Sequence, residues 1–539
     1  MPQTFTATLR SRVLIRRLFP RLLVGLLALV APCFFPREAV AKEPGEIGPR
    51  ELRRRIEAIL GQAEARRGSW GIKVIRLPDG KVLYARNSDH LFQPASNMKL
   101  FTTAAATEKL GPDFVFHTTV ESDAPPDDEG WVGNLYLVGR GDPNLSGRVL
   151  PYQLKAERRQ PADAAFQDLA DRVAARGVRE VGGNLVADDS YFLFEPYSHD
   201  WAEEDLQWGY GAPVTALAFN DNALFLHVRP AGAVGALAQV WLEPLPDYYR
   251  LVSRVATRAP GTKEKIVVER AHGSMELDVW GQVPLEARET DEEGTVAIAD
   301  PPRLIGEMFR RALESRGITI RGQVEVRHTN RLEAATQASK DDRPPPSPPR
   351  ELLAEHVSLP LREDLRVINK LSQNLHSEML LRTLGRETKN DGSLAAGLQV
   401  LEDFSAQAEI EQGEFHFADG SGLSREALVA PDALIKLLKF MAASPRFGVF
   451  YDSLPVAGAD GTLSDRFKNT PAEGRIQAKT GTIEHVNALS GYMDLPSGQR
   501  IAFSIVGNSH PLDSKEGEKI VDRIAVTIYE WFARNKRKI

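Results

Sequence analysis

FQPASNMKLFTTAAA, residues 92–106, sets a hydroxyl and an amine three positions apart, Ser96 and Lys99, just after Pro94 and at the head of an Ala-rich apolar run. The stretch predicts a helix that begins near Ser96 and stops at Gly111-Pro112. On a helix such residues share a face, about 4.5 Å apart along the axis. A serine hydroxyl is a poor nucleophile until a base takes its proton, and an ordinary lysine, with a pKa of about 10.4, is charged at neutral pH and takes none. The pair becomes reactive only where burial or a neighbouring cation keeps Lys99 neutral. Chance alone supplies a Ser-x-x-Lys about once in a chain this size, so the reading needs support from elsewhere.

Two further stretches supply it. Lys479-Thr480-Gly481-Thr482 ends the edge-strand candidate GRIQAKTG, and Ser372-Gln373-Asn374 heads the helical pattern NLHSEMLLRTLG. A Lys-Thr-Gly arises by chance in roughly one chain in ten. Ser-x-x-Lys, Ser-x-Asn and Lys-Thr-Gly, in that order, are the set found in β-lactamases and penicillin-binding proteins. The chain therefore resembles the penicillin-recognising serine enzymes. Ser96 and Ser372 lie 276 residues apart, and Ser372 and Lys479 lie 107 apart. The first interval far exceeds that of ordinary class A β-lactamases and requires an inserted module. That architecture is similar to the class C low-molecular-mass penicillin-binding proteins, the D-alanyl-D-alanine carboxypeptidase/endopeptidase family of the penicillin-binding protein 4 type. GRGDPNLSG at 139–147, YGAPVTALAFNDNAL at 210–224 and FADGSGLSR at 417–425 fit the same family, and the departures are small, such as His376 just after Ser-x-Asn.

The resemblance implies roles. Ser96 Oγ attacks the carbonyl between two D-alanines and forms an acyl-enzyme that water hydrolyses, with Lys99 as base. Lys479, a second cation, lowers the pKa of Lys99 and attracts the substrate's terminal carboxylate. Ser372 relays a proton to the leaving group, Asn374 holds Lys99 and the substrate backbone, and Thr480 and Thr482 flank Gly481 with hydroxyls for the carboxylate. The backbone N–H groups of Ser96 and Thr482 form the oxyanion hole. The implied partners are peptidoglycan stem peptides, with β-lactam antibiotics as covalent inhibitors; no metal or cofactor is required. Two other readings stay open, a β-lactamase and a non-catalytic wall-binding protein that kept the fold.

Rival sites are missing from the sequence: it has no Gly-x-Ser-x-Gly elbow, no His-Glu-x-x-His and no phosphate loop ending in Gly-Lys-Ser/Thr. His485 reads as structural, and Asp419 and Ser421 as a turn packed against the site.

The flanking patterns give an α+β fold of the β-lactamase/transpeptidase kind, an antiparallel sheet flanked by helices. ELRRRIEAILGQAEARR has amphipathic helical spacing, and GIKVIRLPDGKVLYA alternates about a Pro78-Asp79-Gly80 turn. GRIQAKTG, ALSGYMDL and QRIAFSIVG read as three strands, and a helix from about Lys515 to Arg534 closes the chain and covers the same sheet as the first helix. Short alternating runs between 118 and 344, among them WVGNLYLVG, GNLVADD, NALFLHVRP and KIVVERA, predict a β-rich accessory insert of one or two subdomains. RPPPSPPR, 343–350, is a stiff linker that marks the return to the catalytic domain, expected over 42–117 and 345–539.

At the N-terminus, five arginines between Arg10 and Arg21 precede LLVGLLALVAPCFF and Ala39-Val40-Ala41, the order of an export signal over 1–41. The rival reading is a membrane anchor, for which an apolar run of about 14 residues is short against the usual span of about 20. Pro32 beside Cys33 argues against a lipid anchor, and Arg16-Arg17 is a weak twin-arginine signal. Cleavage takes six Arg and Glu38 from 67 basic and 73 acidic residues, leaving 61 against 72. So acidic a protein is no nucleic-acid binder. It would also lack Cys33, its one thiol, and could use neither disulfides nor thiol catalysis. The expected location is the periplasm, with at most peripheral membrane contact through the basic tail, Arg534 to Lys538.

Overall fold

The computed structural model describes residues 48–62, 64–153, 158, 161–287, 294–338 and 349–535. The signal at 1–41, most of the Pro-rich linker and residues 536–538 of the basic tail lie outside the described residues. Among the described residues no helix is long and apolar enough to cross a membrane.

Five antiparallel strands form the central sheet, in the order Ile476–Ile483, Val486–Asp494, Arg500–Asn508, Ser69–Arg76 and Val82–Arg86. The first hairpin turns at the expected Pro-Asp-Gly, and Pro496-Ser497-Gly498 turns the last one. Arg500–Asn508 is buried on both faces, which is why Ile501 to Gly507 shows no polar–apolar alternation, with buried Ser504 its one polar residue.

The first helix, Arg50–Leu60, and the last, Ser514–Arg534, cover one face together. Leu52, Ile56 and Leu60 pack there with Ile524, Ile528, Phe532 and the strand residues Ile72, Leu489 and Phe503. The first and last helices of the described residues thus close on one layer, as the amphipathic spacing of both predicts. Asp513 caps the last helix by accepting from the Glu516 N–H at 2.8 Å.

The other face carries a helical layer whose centre is Lys99–Lys109. Every residue of that helix from Lys99 to Thr107 is buried, and its alanines let neighbouring helices approach closely. Leu361–Lys370 and Asn374–Lys389 pack beside it through Leu365, Leu380 and Leu381. Ser96 sits just ahead of it, in the short 3-10 turn Ala95–Met98.

The residues between these halves build a second five-stranded sheet, ordered Val324–Thr329, Leu185–Leu193, Leu135–Val138, His117–Ser122 and Glu351–Val357. Two helices, Ala164–Ala175 and Pro301–Glu314, cover it through Phe166, Leu169, Ile305 and Phe309. Smaller sheets follow from Ala223 to Ala297. Glu351–Val357 pairs antiparallel with His117–Ser122, so the insert's sheet takes its edge strand from beyond the Pro-rich linker expected to end the insert at 344. Lys479-Thr480-Gly481-Thr482 closes the edge strand as the sequence suggests, Ile476–Ile483 running one residue past Thr482 to a tight turn at Glu484-His485.

Candidate active site

The edge strand meets the Ser96 turn through Gly481. A Cβ there would stand 2.7 Å from the Pro94 carbonyl oxygen and 3.2 Å from Ala95 Cβ, so only glycine lets the strand lie this close. Asn97 ties the same turn to the sheet, its Nδ2 donating to Ser490 Oγ at 2.8 Å. Ala95 is held at φ 46° and Ser372 at φ 60°, left-handed conformations that the surroundings must hold in place.

Lys99 is fully buried, and its Nζ lies 2.8 Å from Ser96 Oγ, 2.6 Å from Asn374 Oδ1 and 2.7 Å from the Ser421 carbonyl oxygen. A neutral amine has two N–H donors and one lone pair. Asn374 Oδ1 and Ser421 O can only accept, so they take the two donors and leave the lone pair for the Ser96 hydroxyl. Burial pushes Lys99 down to about 7 from its ordinary value near 10.5, against the opposing pull of Asp419 and Glu378.

Lys479, also fully buried, donates to Ser372 Oγ at 2.8 Å and to the Thr480 carbonyl at 2.9 Å. Burial and then the Lys99 charge hold it well below its ordinary value. Burial lowers the pKa of both amines, and the repulsion between them opposes their carrying two charges at once.

Ser96, Lys99 and Asn374 form one connected set and Ser372, Lys479 and Thr480 another. Asn374 Nδ2 donates to the Tyr210 carbonyl at 2.8 Å, so the insert holds this amide in its orientation. Thr480 is buried and its Oγ1 is 2.8 Å from Thr462 Oγ1. Thr482 is exposed, with Oγ1 3.4 Å from Glu518 Oε1.

The turn at 419–424 sits beneath Lys99. Asp419 accepts from the Gly422 and Ser424 N–H groups, both at 2.7 Å, and from Trp201 Nε1 of the insert at 3.1 Å. Glu378 accepts from the Gly420 and Ser421 N–H groups at 2.9 and 2.8 Å. Burial, followed by Asp419, raises the Glu378 carboxyl above its ordinary value. Asp419 and Ser421 thus form the packed turn that the sequence suggests, and the Ser421 backbone is also a direct partner of Lys99. His485 Nδ1 lies 3.1 Å from the His510 carbonyl oxygen, away from both lysines' hydrogen-bond partners. Tyr210, Glu378 and Trp201 are site residues that sequence reasoning missed. They act through a backbone carbonyl, a buried carboxylate under a turn and an indole from another sheet, and no short motif announces such contacts.

The sequence profile of the D-Ala-D-Ala carboxypeptidase 3 (S13) family matches residues 52–528. The D-alanyl-D-alanine carboxypeptidase of Actinomadura sp. (strain R39) is 38% identical over 492 residues, 89% of this chain and 85% of that protein. The D-alanyl-D-alanine carboxypeptidase DacB of Haemophilus influenzae is 26% identical over 426 residues, 77% of this chain and 80% of its own. The crystal structure of penicillin binding protein 4 from H. influenzae superposes with a TM-score of 0.72 at 23% identity, covering 89% of this chain and 99% of that one. A second crystal structure of that protein, in complex with a β-lactam, gives a TM-score of 0.67 at 21% identity, again over 89% and 99%.

Proposed function

The chain belongs to the D-Ala-D-Ala carboxypeptidase 3 (S13) family, and from that premise we propose how its own residues carry out the reaction. It is a serine-type D-alanyl-D-alanine carboxypeptidase working through an acyl-enzyme. Ser96 is the nucleophile and Lys99 the base. The neutral Lys99 Nζ takes the Ser96 proton as Oγ forms a bond to the carbonyl carbon between two D-alanines. The carbonyl oxygen becomes an oxyanion facing the N–H groups of Ser96 and Thr482, a contribution of about 3 kcal/mol per donor.

Collapse of this intermediate breaks the C–N bond. The departing amine takes a proton from the Ser372 hydroxyl, which is replenished from Lys479, and D-alanine leaves. Lys99 then gives up the proton it took from Ser96, which recharges Lys479 and leaves Lys99 neutral again. Water attacks the ester carbonyl as its proton passes to Lys99, and Lys99 hands that proton to Ser96 Oγ as the ester C–O bond breaks. The substrate carboxylate, facing Lys479, Thr480 and Thr482, favours the charged form of Lys479 and so primes it as the proton source once substrate is bound.

The observation that carries this reading is the Lys99 amine, buried and bounded by two obligatory acceptors and the Ser96 hydroxyl. We assign the substrate to peptidoglycan stem peptides, with cleavage of cross-links as a variant of the same chemistry, and the location to the periplasm after loss of residues 1–41. The reading is tested by incubating the protein with a labelled penicillin and mapping the adduct. A covalent adduct on Ser96 is expected, and an adduct elsewhere, or none, overturns the assignment.

A further inference from the structure

His376 has no part in the chemistry above, yet it is fully buried on the first turn of the helix Asn374–Lys389, two residues beyond Asn374. Its Nδ1 lies 2.6 Å from Asp364 Oδ1 on the helix Leu361–Lys370, and its Nε2 lies 3.1 Å from Asp221 Oδ1 of the insert. Carboxylate oxygens only accept, so the ring satisfies both neighbours when both of its nitrogens carry protons. Asp221 is in turn gripped by Arg148 and Arg158 of the insert, and Asn144 Nδ2 reaches Asp364 Oδ1 at 3.3 Å. The chain enters this helix from Ser372, whose left-handed backbone needs external support.

We propose that His376, as an imidazolium bridging Asp364 and Asp221, is a positioning residue that pins the Ser372–Asn374 segment against the two active-site lysines and couples it to the accessory insert. The proposal rests on the serine-peptidase reading of the site and assigns a role to a side chain that reading leaves unused.

The groups facing the ring come from several elements. Asp364 and Asp221 touch it, Arg148 and Arg158 stand behind Asp221, and Asp142 feels its charge from further off. From the serine helix, Lys99 spends its hydrogen bonds on Ser96, Asn374 and Ser421. From the strand Leu185–Leu193, Asp188 pairs with Arg350 and Asp189 with His328. From Leu394–Gln407, Asp403 pairs with Lys389 at the far end of the His376 helix. Burial lowers the ring's pKa, but the Asp364 and Asp221 carboxylates outweigh it and leave it above the ordinary histidine value. The bridge is therefore complete below the ordinary value and is lost as pH rises through the raised one. At higher pH one bare ring nitrogen faces a carboxylate.

The test uses the whole protein. With histidine labelled by ¹⁵N, one ring is expected to hold both protons at pH 7.5, and its signal should vanish in His376→Gln. Acylation by a fluorescent penicillin is then followed by stopped flow. In His376→Gln the acylation rate constant at saturation should fall tenfold or more while the non-covalent dissociation constant changes less than threefold. In the milder Asp364→Asn the alkaline loss of acylation should move to lower pH than in the wild type, a shift that a purely structural role would not produce. A ring that is neutral at pH 7.5 in the wild type, or an unchanged acylation rate in folded His376→Gln, overturns the proposal. Should His376→Gln fail to fold, an unshifted alkaline limb in Asp364→Asn overturns it instead. The adduct on Ser96 in the wild type is judged separately, so this proposal can fail while the serine-peptidase reading stands.

Discussion

Asn374 Oδ1 accepts from Lys99 Nζ at 2.6 Å, the shortest of the three contacts around that amine. This links the Ser-x-Asn segment to the base and makes the amide's chemistry testable. Asn374→Asp places a carboxylate against Lys99 and favours its charged form. At pH 7 acylation by penicillin should drop at least tenfold and recover as pH is raised. An Asn374→Asp profile that overlays the wild type would show that the contact does not set the charge of Lys99.

Lys99→Ala removes the base and leaves Asp419 and Glu378 in place beneath the cavity. The protein should remain folded by circular dichroism, and acylation should fall by at least about 100-fold, the lower range for loss of a general base. Acylation at the wild-type rate would remove Lys99 from that role.

Gly481→Val should push the edge strand off the Ser96 turn, because the Pro94 carbonyl oxygen already stands 2.7 Å from the site of a Cβ. Penicillin acylation should fall about 100-fold, the loss that accompanies displacement of reacting groups by roughly 1 Å. The wider sheet keeps the fold, so the melting temperature should move by only a few degrees. A variant that acylates normally would place the strand outside the site.

A β-lactamase and a D,D-peptidase share acylation and differ in how fast water releases the acyl group. With labelled penicillin G, a long-lived adduct that outlasts many minutes is expected. Rapid multiple turnover, with penicilloate accumulating and no adduct trapped, would favour the β-lactamase reading.

How much of the molecule was legible in the sequence depends on the range of the signal. Ser96, Lys99, Ser372, Asn374 and Lys479 sit in short motifs, and the hairpin at Pro78-Asp79-Gly80 and the two terminal helices have local patterns, so each could be read from neighbouring residues. The helix Ala164–Ala175 carries Phe166, Leu169, Ala170 and Val173 at helical spacing, yet the alternating strands around it dominate the pattern. The partner of Glu351–Val357 was not legible, because a proline-rich linker resembles a boundary and a strand does not announce which edge it joins. The source of Lys99 neutrality was legible only in kind: either burial or a second cation would serve. The fold supplies both: Lys99 is fully buried, and Lys479, also buried, interacts with its charge.

The pH dependence of wild-type acylation tests the central claim most directly. Lys99 must be neutral to accept the Ser96 proton, and its pKa lies at about 7. The acylation rate at saturating penicillin should therefore fall tenfold per unit as pH drops below about 7 and level off just above it. A rate that stays flat from pH 5 to pH 8, or that rises only near the ordinary lysine pKa of about 10.4, would contradict a buried, neutral Lys99 as the group that activates Ser96.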